Sequence, residues 1–164
     1  MAEALIIEER EGLGLASVMA RKGVTAAMLG EALGLVIAEG SRVSAGPDLA
    51  LIGTGPGTWL ASGNPGLAAR LGARLGPLAS LSDQSGGYAV FRLSGVGART
   101  VLQRGAAIDF HPSLFAAGSV ATTVIAHIGV IIWQVDDLPI YDVAVFRSYA
   151  ASFRHLLDLT AAAL

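Results

Sequence analysis

The apolar stretch VATTVIAHIGVIIW, residues 120–133, most constrains what this chain can fold into. A membrane-spanning helix needs about 18 or more consecutive apolar residues. This stretch is shorter and contains His127 and two threonines. We therefore predict two strand segments, 120–127 and 129–135, broken or bulged near Gly129. His127 is expected to be a hydrogen-bonded histidine of the core or of an interface.

The composition favours a chain that buries part of its surface against another subunit. Of its 164 residues, 53% are apolar and 15% are charged, which is a low charged fraction for a soluble monomer. We attribute the excess hydrophobicity to a subunit interface; a tightly folded, alanine-rich monomer is the alternative. The length fits one domain or two small halves that share a core.

Charge and cysteine content exclude several classes of function. The net charge of −2 and the pI near 5.9 argue against a nucleic-acid partner. The chain has no cysteine, which rules out thiol catalysis, cysteine zinc sites and disulfides. The first residues, MAEALIIEEREG, are acidic where a signal peptide would be basic, so we expect a cytoplasmic protein with no membrane partner.

A turn-rich linker over residues 38–48 suggests an N-terminal strand-helix segment, 1–45, and an α+β domain, 46–164, with a core that the two can share. In the first segment we predict a strand over 3–10, a short helix over 15–23 and a second helix capped by Thr25.

Strands and helices alternate in the second segment. We predict a buried strand that runs into a glycine-rich turn within residues 49–60, and strands over 88–95 and 140–146. A helix is expected to begin at Asn64-Pro65 and to bury Leu67, Leu71 and Leu75. A second is expected over 95–105, capped by Ser94 and burying Val96. A last helix is expected over 148–162 and buries Tyr149. This order predicts an α+β fold in which ferredoxin-like antiparallel sheet units carry helices on one face.

We find no complete catalytic constellation, and we predict no catalytic, cofactor-binding or metal-binding residue. The segment GTGPGTW, 53–59, lacks the Lys-Ser/Thr of a phosphate loop and is interpreted as a tight turn with close backbone packing. Asp136-Asp137 is typical of a turn, and His155 is expected at the surface. Asp83 is assigned a structural role, with a ligand contact as the alternative.

Several collinear segments between about residues 49 and 160 resemble one family. They are LIGTGPGTWLA, LSDQSGGYAVFRLSG, ARTVLQRGAAIDFHPSLFAAGSVATTVIAHIGVIIWQ and YDVAVFRSYAASFRHLL. Together they are similar to the gamma subunit of heterotetrameric sarcosine oxidase. The loop DFHPSLFAAGS followed by TTVIAH, with FRSYAAS downstream, is the most specific part.

The resemblance implies a fold akin to the folate-binding domain of aminomethyltransferase. It implies a non-catalytic gamma subunit in a flavoenzyme that oxidatively demethylates sarcosine or a related N-methyl amine. FAD, FMN and NAD would lie on the alpha and beta subunits, and tetrahydrofolate on alpha would receive the one-carbon unit. The chain's role would be to assemble with and stabilise the alpha subunit. Candidate partner contacts are Arg147, His111, Phe110 and Trp133.

Arg147 and Ser148 stand where the strand 140–146 meets the last helix. We predict that Ser148 caps that helix. The helix dipole disfavours a cation just before a helix start, so Arg147 needs a partner. An acidic group of the alpha subunit is the first candidate, and an internal carboxylate such as Asp142 or Asp109 is the second.

Two other functions remain open at this point. A stand-alone folate-binding one-carbon module would need a carboxylate for the pterin in an aromatic-lined pocket, supplied by Asp83, Asp109, Phe110 or Trp133. A small enzyme could use Asp109 and His111 as an acid–base pair, because side chains two residues apart on an extended segment point the same way.

Overall fold

The computed structural model describes residues 5–164. Its strands are β1 (Ile6–Glu9), β2 (Gly14–Ala20), β3 (Val43–Ala45), β4 (Leu49–Gly55), β5 (Thr58–Gly63), β6 (Ala79–Asp83), β7 (Tyr88–Ser94), β8 (Val120–Ile125), β9 (Ile128–Gln134) and β10 (Ile140–Phe146). Its helices are α1 (Ala26–Leu33), α2 (Leu67–Leu75), α3 (Gly97–Gly105) and α4 (Ala150–Ala162), with short 3-10 turns at Gly76–Leu78 and Arg147–Tyr149.

The chain divides into two compact units, each built on one five-stranded antiparallel sheet. The middle unit comprises residues 12–87, and its strand order is β3-β4-β5-β2-β6. The terminal unit joins residues 5–11 to residues 88–164, and its strand order is β1-β7-β10-β9-β8. The prediction of an α+β fold with antiparallel sheets is confirmed.

The two units have the same connectivity. In the middle unit a strand, a helix, three strands, a helix and a last strand follow one another as β2-α1-β3-β4-β5-α2-β6. In the terminal unit β7-α3-β8-β9-β10-α4 repeats this order without a last strand. The position beside β7, which β6 occupies beside β2 in the middle unit, is taken by β1. The first strand of the chain therefore completes the sheet of the unit that the chain builds last.

Helices cover one face of each sheet. In the middle unit Leu67, Leu71 and Leu75 of α2 are buried, as the leucine spacing predicts, with Leu29 and Leu33 of α1. In the terminal unit Phe153 and Leu157 of α4 and Val101 and Leu102 of α3 pack against Phe91, Ile132 and Val143 of the sheet.

The predicted boundary at residue 45 separates no compact units, because β3 and β4 on either side of it pair with each other.

Several predicted elements are wrong in type or in their ends. Residues 14–20 form strand β2 and not a helix, and Gly14, Leu15 and Ala16 are buried in succession. Of the strand predicted over 3–10, the observed part is Ile6–Glu9, and residues 3 and 4 lie outside the described residues. Within residues 49–60 the predicted strand and glycine-rich turn are observed as β4 and Pro56-Gly57, but the second strand, β5, which begins at Thr58, was not predicted.

Helix starts also differ from the prediction, except for α1, where Thr25 accepts a hydrogen bond from the Met28 amide as expected. Helix α2 is preceded by Gly66 in a left-handed conformation, and not by Asn64 with Pro65 at the first turn. Helix α3 is preceded by Val96, which is 63% exposed and not buried, while Ser94 is the last residue of β7.

The glycine-rich turn packs closely against neighbouring backbone, as predicted. A Cβ atom on Gly53 would collide with the carbonyl oxygen of Gly40, and Gly57 has a positive φ of 65°. Both positions therefore require glycine for steric reasons.

The apolar stretch forms two strands, as predicted, which pair as the hairpin of β8 and β9 and are separated at residues 126–127 and not near Gly129. Its two-residue turn is Ala126-His127, with φ angles of 45° and 68°, the signs that a type I′ turn requires. His127 is exposed at this turn and is therefore not a core histidine. The alternative of an interface histidine stays a prediction. Within residues 5–164, no helix combines the length and hydrophobicity needed to cross a membrane.

Candidate partner-binding surface

Arg147 lies on the terminal unit, in the 3-10 turn between β10 and α4. Its guanidinium donates to Glu9 Oε1 at 2.6 Å and to the Tyr88 carbonyl oxygen at 2.8 Å. The internal partner is therefore Glu9 of β1, and not Asp142 or Asp109. The arginine side chain remains 50% exposed and that of Glu9 36% exposed, so the pair lies at the surface.

Three aromatic residues lie next to this ion pair in the chain or contact it through the backbone. The rings of Tyr88 and Phe146 stack with centroids 5.0 Å apart, and Phe146 is 53% exposed. Tyr149 is 47% exposed and does not pack in the core, contrary to the prediction. Partial burial raises the pKa of Tyr88 above its ordinary value. We call Tyr88, Phe146, Arg147 and Tyr149, with Glu9, the aromatic surface.

The turn before α4 explains why Tyr149 is exposed. The residue that precedes α4 is Tyr149, and no side chain caps the helix, so the predicted capping role of Ser148 is wrong. The 3-10 turn displaces the helix start to Ala150. Tyr149 thereby falls outside the buried stripe of Phe153 and Leu157.

A buried carboxylate organises the adjacent strands. Asp142 of β10 is 1% exposed and accepts two hydrogen bonds from Arg92 of β7, at 2.7 and 2.8 Å, and one from Arg10, at 3.0 Å. The hydrogen bond to Asp142 raises the pKa of Arg92. With all its contacts satisfied by arginines, Asp142 is suited to hold β1, β7 and β10 together and is not placed to move a proton.

The loop with the predicted contact His111 is fixed by local hydrogen bonds. The Asp109 carboxylate accepts from the His111 backbone amide at 2.8 Å, and His111 Nδ1 lies 2.7 Å from the Ser113 hydroxyl. The two side chains are therefore engaged separately and do not form the acid–base pair that their spacing suggested. His111 is exposed, so its role as a partner contact stays a prediction.

Phe110 and Trp133 are core residues of this chain. Phe110 is 0% and Trp133 is 5% exposed, and the ring of Phe110 packs edge-on against Phe115 and Tyr141. The prediction that they contact a partner is therefore wrong, because neither residue has an exposed side chain to offer to another subunit.

Two of the remaining polar candidates, Asp83 and Asp136, accept hydrogen bonds within their own turns. The Asp83 carboxylate accepts from the backbone amide and hydroxyl of Ser85, at 2.9 and 2.7 Å, and these bonds lower the pKa of Asp83. Asp136 accepts from the Leu138 amide, which confirms the predicted turn. His155 is exposed on α4, as expected. In residues 5–164, no three acidic, histidine or cysteine side chains cluster as a metal ion would require.

Sequence reasoning identified Arg147 but missed the aromatic residues beside it. Val145 faces the core, so strand alternation places Phe146 on the other face. Tyr88 is its cross-strand partner in β7. The alternation was visible in the sequence, but the pairing of β10 with β7 and of β1 with β7 was not. The arrangement presents aromatic rings and one ion pair at the surface, a composition that is typical of protein–protein interfaces.

Comparison with known proteins gives consistent matches. The model of the sarcosine oxidase, gamma subunit family matches residues 19–163. The chain is 34% identical over 116 residues to the sarcosine oxidase subunit gamma of Corynebacterium sp. (strain P-1), across 68% of this chain and 57% of that relative. The match thus spans little more than half of the relative's length.

Two solved structures share the fold. A chain of heterotetrameric sarcosine oxidase from Corynebacterium sp. U-96 superposes with a TM-score of 0.86 at 24% identity, covering 96% of this chain and 84% of that one. Aminomethyltransferase T of the glycine cleavage system from Bartonella henselae superposes with a TM-score of 0.67 at 16% identity, covering 94% of this chain and 45% of that one. Both similarities confirm the fold that the sequence resemblance implied.

Proposed function

Because the chain belongs to the sarcosine oxidase gamma subunit family, we propose that it is the non-catalytic small subunit of a heterotetrameric flavoenzyme. The complex oxidatively demethylates sarcosine or a related N-methyl amine and passes the one-carbon unit to tetrahydrofolate. FAD, FMN and NAD belong to the alpha and beta subunits. The family match over residues 19–163 is the observation that carries this proposal.

The task of this chain in the complex is to assemble with the alpha subunit and stabilise it. The aromatic surface supports this role, since exposed aromatic and arginine side chains are enriched in protein interfaces. Phe146 and Tyr149 are each about half exposed. Burying them against a partner would remove apolar area from water, at about 25 cal/mol per Å².

The residues that a folate would need on this chain do not fit that ligand. Phe110 and Trp133 have almost no exposed surface, and the Asp109 and Asp83 carboxylates are bonded to backbone amides of their own turns. A pterin would find no aromatic wall beside an available carboxylate among them. We therefore assign tetrahydrofolate to another subunit and disfavour the alternative of a stand-alone folate-binding module.

Co-expression with the candidate alpha and beta subunits tests the proposal. We expect the chain to co-elute with them in size-exclusion chromatography, and the complex to oxidise sarcosine or a related N-methyl amine. Calorimetry of the isolated chain with tetrahydrofolate should show no heat of binding. A chain that never co-elutes, or one that binds tetrahydrofolate alone, would contradict the proposed role.

A further inference from the structure

Strand β8 forms one outer edge of the terminal sheet, whose strand order ends with it. Its six residues, VATTVI, pair with β9 on one side. On its other side the described part of the chain meets β8 at the hairpin end, where Ile125 forms a bridge with Ala106. The rest of this side is an open edge, and Thr122 in its middle is exposed.

The register of the hairpin identifies the backbone groups on this open side. The Gln134 amide donates to the Ser119 carbonyl at 3.1 Å. Bonded and unbonded residues alternate along an antiparallel ladder, so Ala121 is bonded to β9, whereas Val120 and Thr122 direct their N–H and C=O groups outward. Within residues 5–164, no backbone hydrogen bond meets these outward groups. Donors and acceptors at a two-residue spacing are the complement of another extended strand.

The open edge of β8 also lacks the features that keep other edge strands from pairing. Strand β1 contains Glu8 and Glu9, β6 ends in Asp83, and β3 has three residues. In β8 there is neither a charged residue nor a proline, and no lysine, arginine, aspartate or glutamate occurs from Phe110 to Val135. Charges, prolines and short length are the usual protection of an edge. Without them, β8 is suited to pair with a further strand.

A second copy of this chain is a poor partner for this edge. Two copies of β8 related by a twofold axis through Thr122 would pair Val120 of one copy with Val124 of the other. Residue 119 of each copy would then lie beside Ile125 of the other, which is the position that Ala106 occupies. A segment of a different protein avoids this collision, because it can pair with Val120 and Thr122 and end there.

We propose that an extended segment of another subunit of the complex pairs with the outer edge of β8 and adds a sixth strand to the terminal sheet. Its backbone accepts from the Thr122 N–H and donates to the Thr122 carbonyl, and it places an uncharged β-branched or aromatic side chain opposite Thr122. This inference rests on the proposed function. It adds a second contact, because β1 and β8 are opposite edges of the sheet and the aromatic surface includes Glu9 of β1.

A proline substitution tests the backbone contact. Thr122→Pro removes the outward N–H and no hydrogen bond to β9, and an edge strand tolerates proline where its N–H faces solvent. The purified full chain would be titrated into the complex of the other subunits, with binding followed by interferometry. We expect the apparent Kd to rise about tenfold or more.

Thr122→Ala is the matched control, because it shortens the same side chain and keeps the N–H. Its Kd should remain within about twofold of that of the unsubstituted chain. Equal Kd values for the proline and alanine variants would overturn the inference. Failure of the unsubstituted chain to bind at all would instead overturn the proposed function.

A lysine variant decides the question if Thr122→Pro does not fold, which its thermal unfolding shows. Thr122→Lys places on β8 the charge that natural edge strands use against pairing, and the Kd should again rise about tenfold. Thr100→Lys, at an exposed threonine of α3 in the same unit, should leave the Kd within about twofold. Equal effects of the two lysines would count against the edge as the site.

Hydrogen exchange identifies the occupied side of the strand. In the isolated chain the amides of Val120 and Thr122 should exchange faster than that of Ala121, which is bonded to β9. Assembly should slow the exchange of Val120 and Thr122, measured residue by residue by fragmentation mass spectrometry. Unaltered exchange of the Thr122 amide in the assembled complex would overturn the inference. So would its protection in a dimer of the isolated chain, since the occupant would then be a second copy.

Discussion

Asp142 shows at the scale of one residue how a buried charge is retained in an otherwise apolar strand. Its neighbours in β10, Tyr141 and Val143, are fully buried, and its carboxylate is neutralised by Arg92 and Arg10. Removing one partner of a buried ion pair leaves the other uncompensated and costs about 3–5 kcal/mol. The two arginines are 28% and 35% exposed, so solvent relieves part of that cost.

We therefore predict that Asp142→Asn lowers the free energy of unfolding by about 2–3 kcal/mol, below the range for fully buried pairs. Denaturant unfolding of the full chain measures it. Asp158→Asn is the matched control, because Asp158 and its partner Arg154 are both about half exposed. That change should cost less than about 1 kcal/mol, and an equal loss in both variants would contradict our account of Asp142.

Arg147 illustrates the opposite case, an ion pair at the surface. Exposed pairs contribute about 0–1 kcal/mol, so Arg147→Ala should lower the stability of the isolated chain by no more than that. We predict that the same change weakens assembly with the other subunits of the proposed complex more than it lowers the melting temperature. Arg154→Ala, which removes another exposed pair of the same unit, serves as the control. A large drop in melting temperature with unaltered assembly would make Arg147 a purely intrachain contact.

Asp83 provides a pH-dependent prediction. Its pKa is lowered by the Ser85 backbone amide and then by the Ser85 hydroxyl. The stability that this carboxylate contributes is present above its unfolded-state pKa, about 3.9. It is lost as the pH falls through the lower folded-state pKa. An NMR titration should show the pKa of Asp83 rising towards its ordinary value in Ser85→Ala, and an unchanged pKa would contradict the assignment.

At the scale of elements, helix starts give a paired prediction. Thr25 caps α1 through its side chain, whereas no side chain caps α4. Thr25→Ala should therefore destabilise the chain by about 0.5–2 kcal/mol, and Ser148→Ala by less than about 0.5 kcal/mol. Thermal unfolding of both variants tests the difference. Similar losses would restore Ser148 as a cap.

Helices with a clear apolar stripe were predictable, and short strands were not. The spacing of Leu67, Leu71 and Leu75 identifies α2, because it places one buried leucine per turn. The helix predicted over 15–23 is wrong although Leu15, Val18 and Met19, at positions i, i+3 and i+4, would also share one face of a helix. In β2 the intervening Ala16 is equally buried and Met19 is exposed, and pairing with β5 and β6 overrides the local pattern.

Of the aromatic surface, only Arg147 could be predicted from the sequence. Arg147 is conspicuous because a cation precedes a helix. Its partner Glu9 lies far away in the sequence, and the contact exists because β1 and β10 both pair with β7. Local periodicity holds no information on such pairings, so Tyr88, Phe146 and Glu9 could not be grouped with Arg147 in advance.

At the scale of the whole molecule, β1 is the element that crosses from the start of the chain to the last unit. It pairs with β7 from Ile6 to Glu9, and the Arg10 amide donates to the Val90 carbonyl. Deleting residues 1–11 should expose this edge of β7 and remove both Glu9 and Arg10. We predict faster hydrogen exchange in β7 and little change in β4 and β5. Equal acceleration in the two units would contradict this division of the chain.

The place of β1 also determines when the terminal sheet can form during synthesis. Ile6–Glu9 leave the ribosome early, but the strand they pair with begins at Tyr88. Until then the middle unit can complete its sheet, whereas the first strand waits without a partner. Strands in this condition are prone to wrong pairings. The two glutamates in β1 are the kind of charge that discourages such pairing, so this strand carries its own protection until its partner β7 has been made.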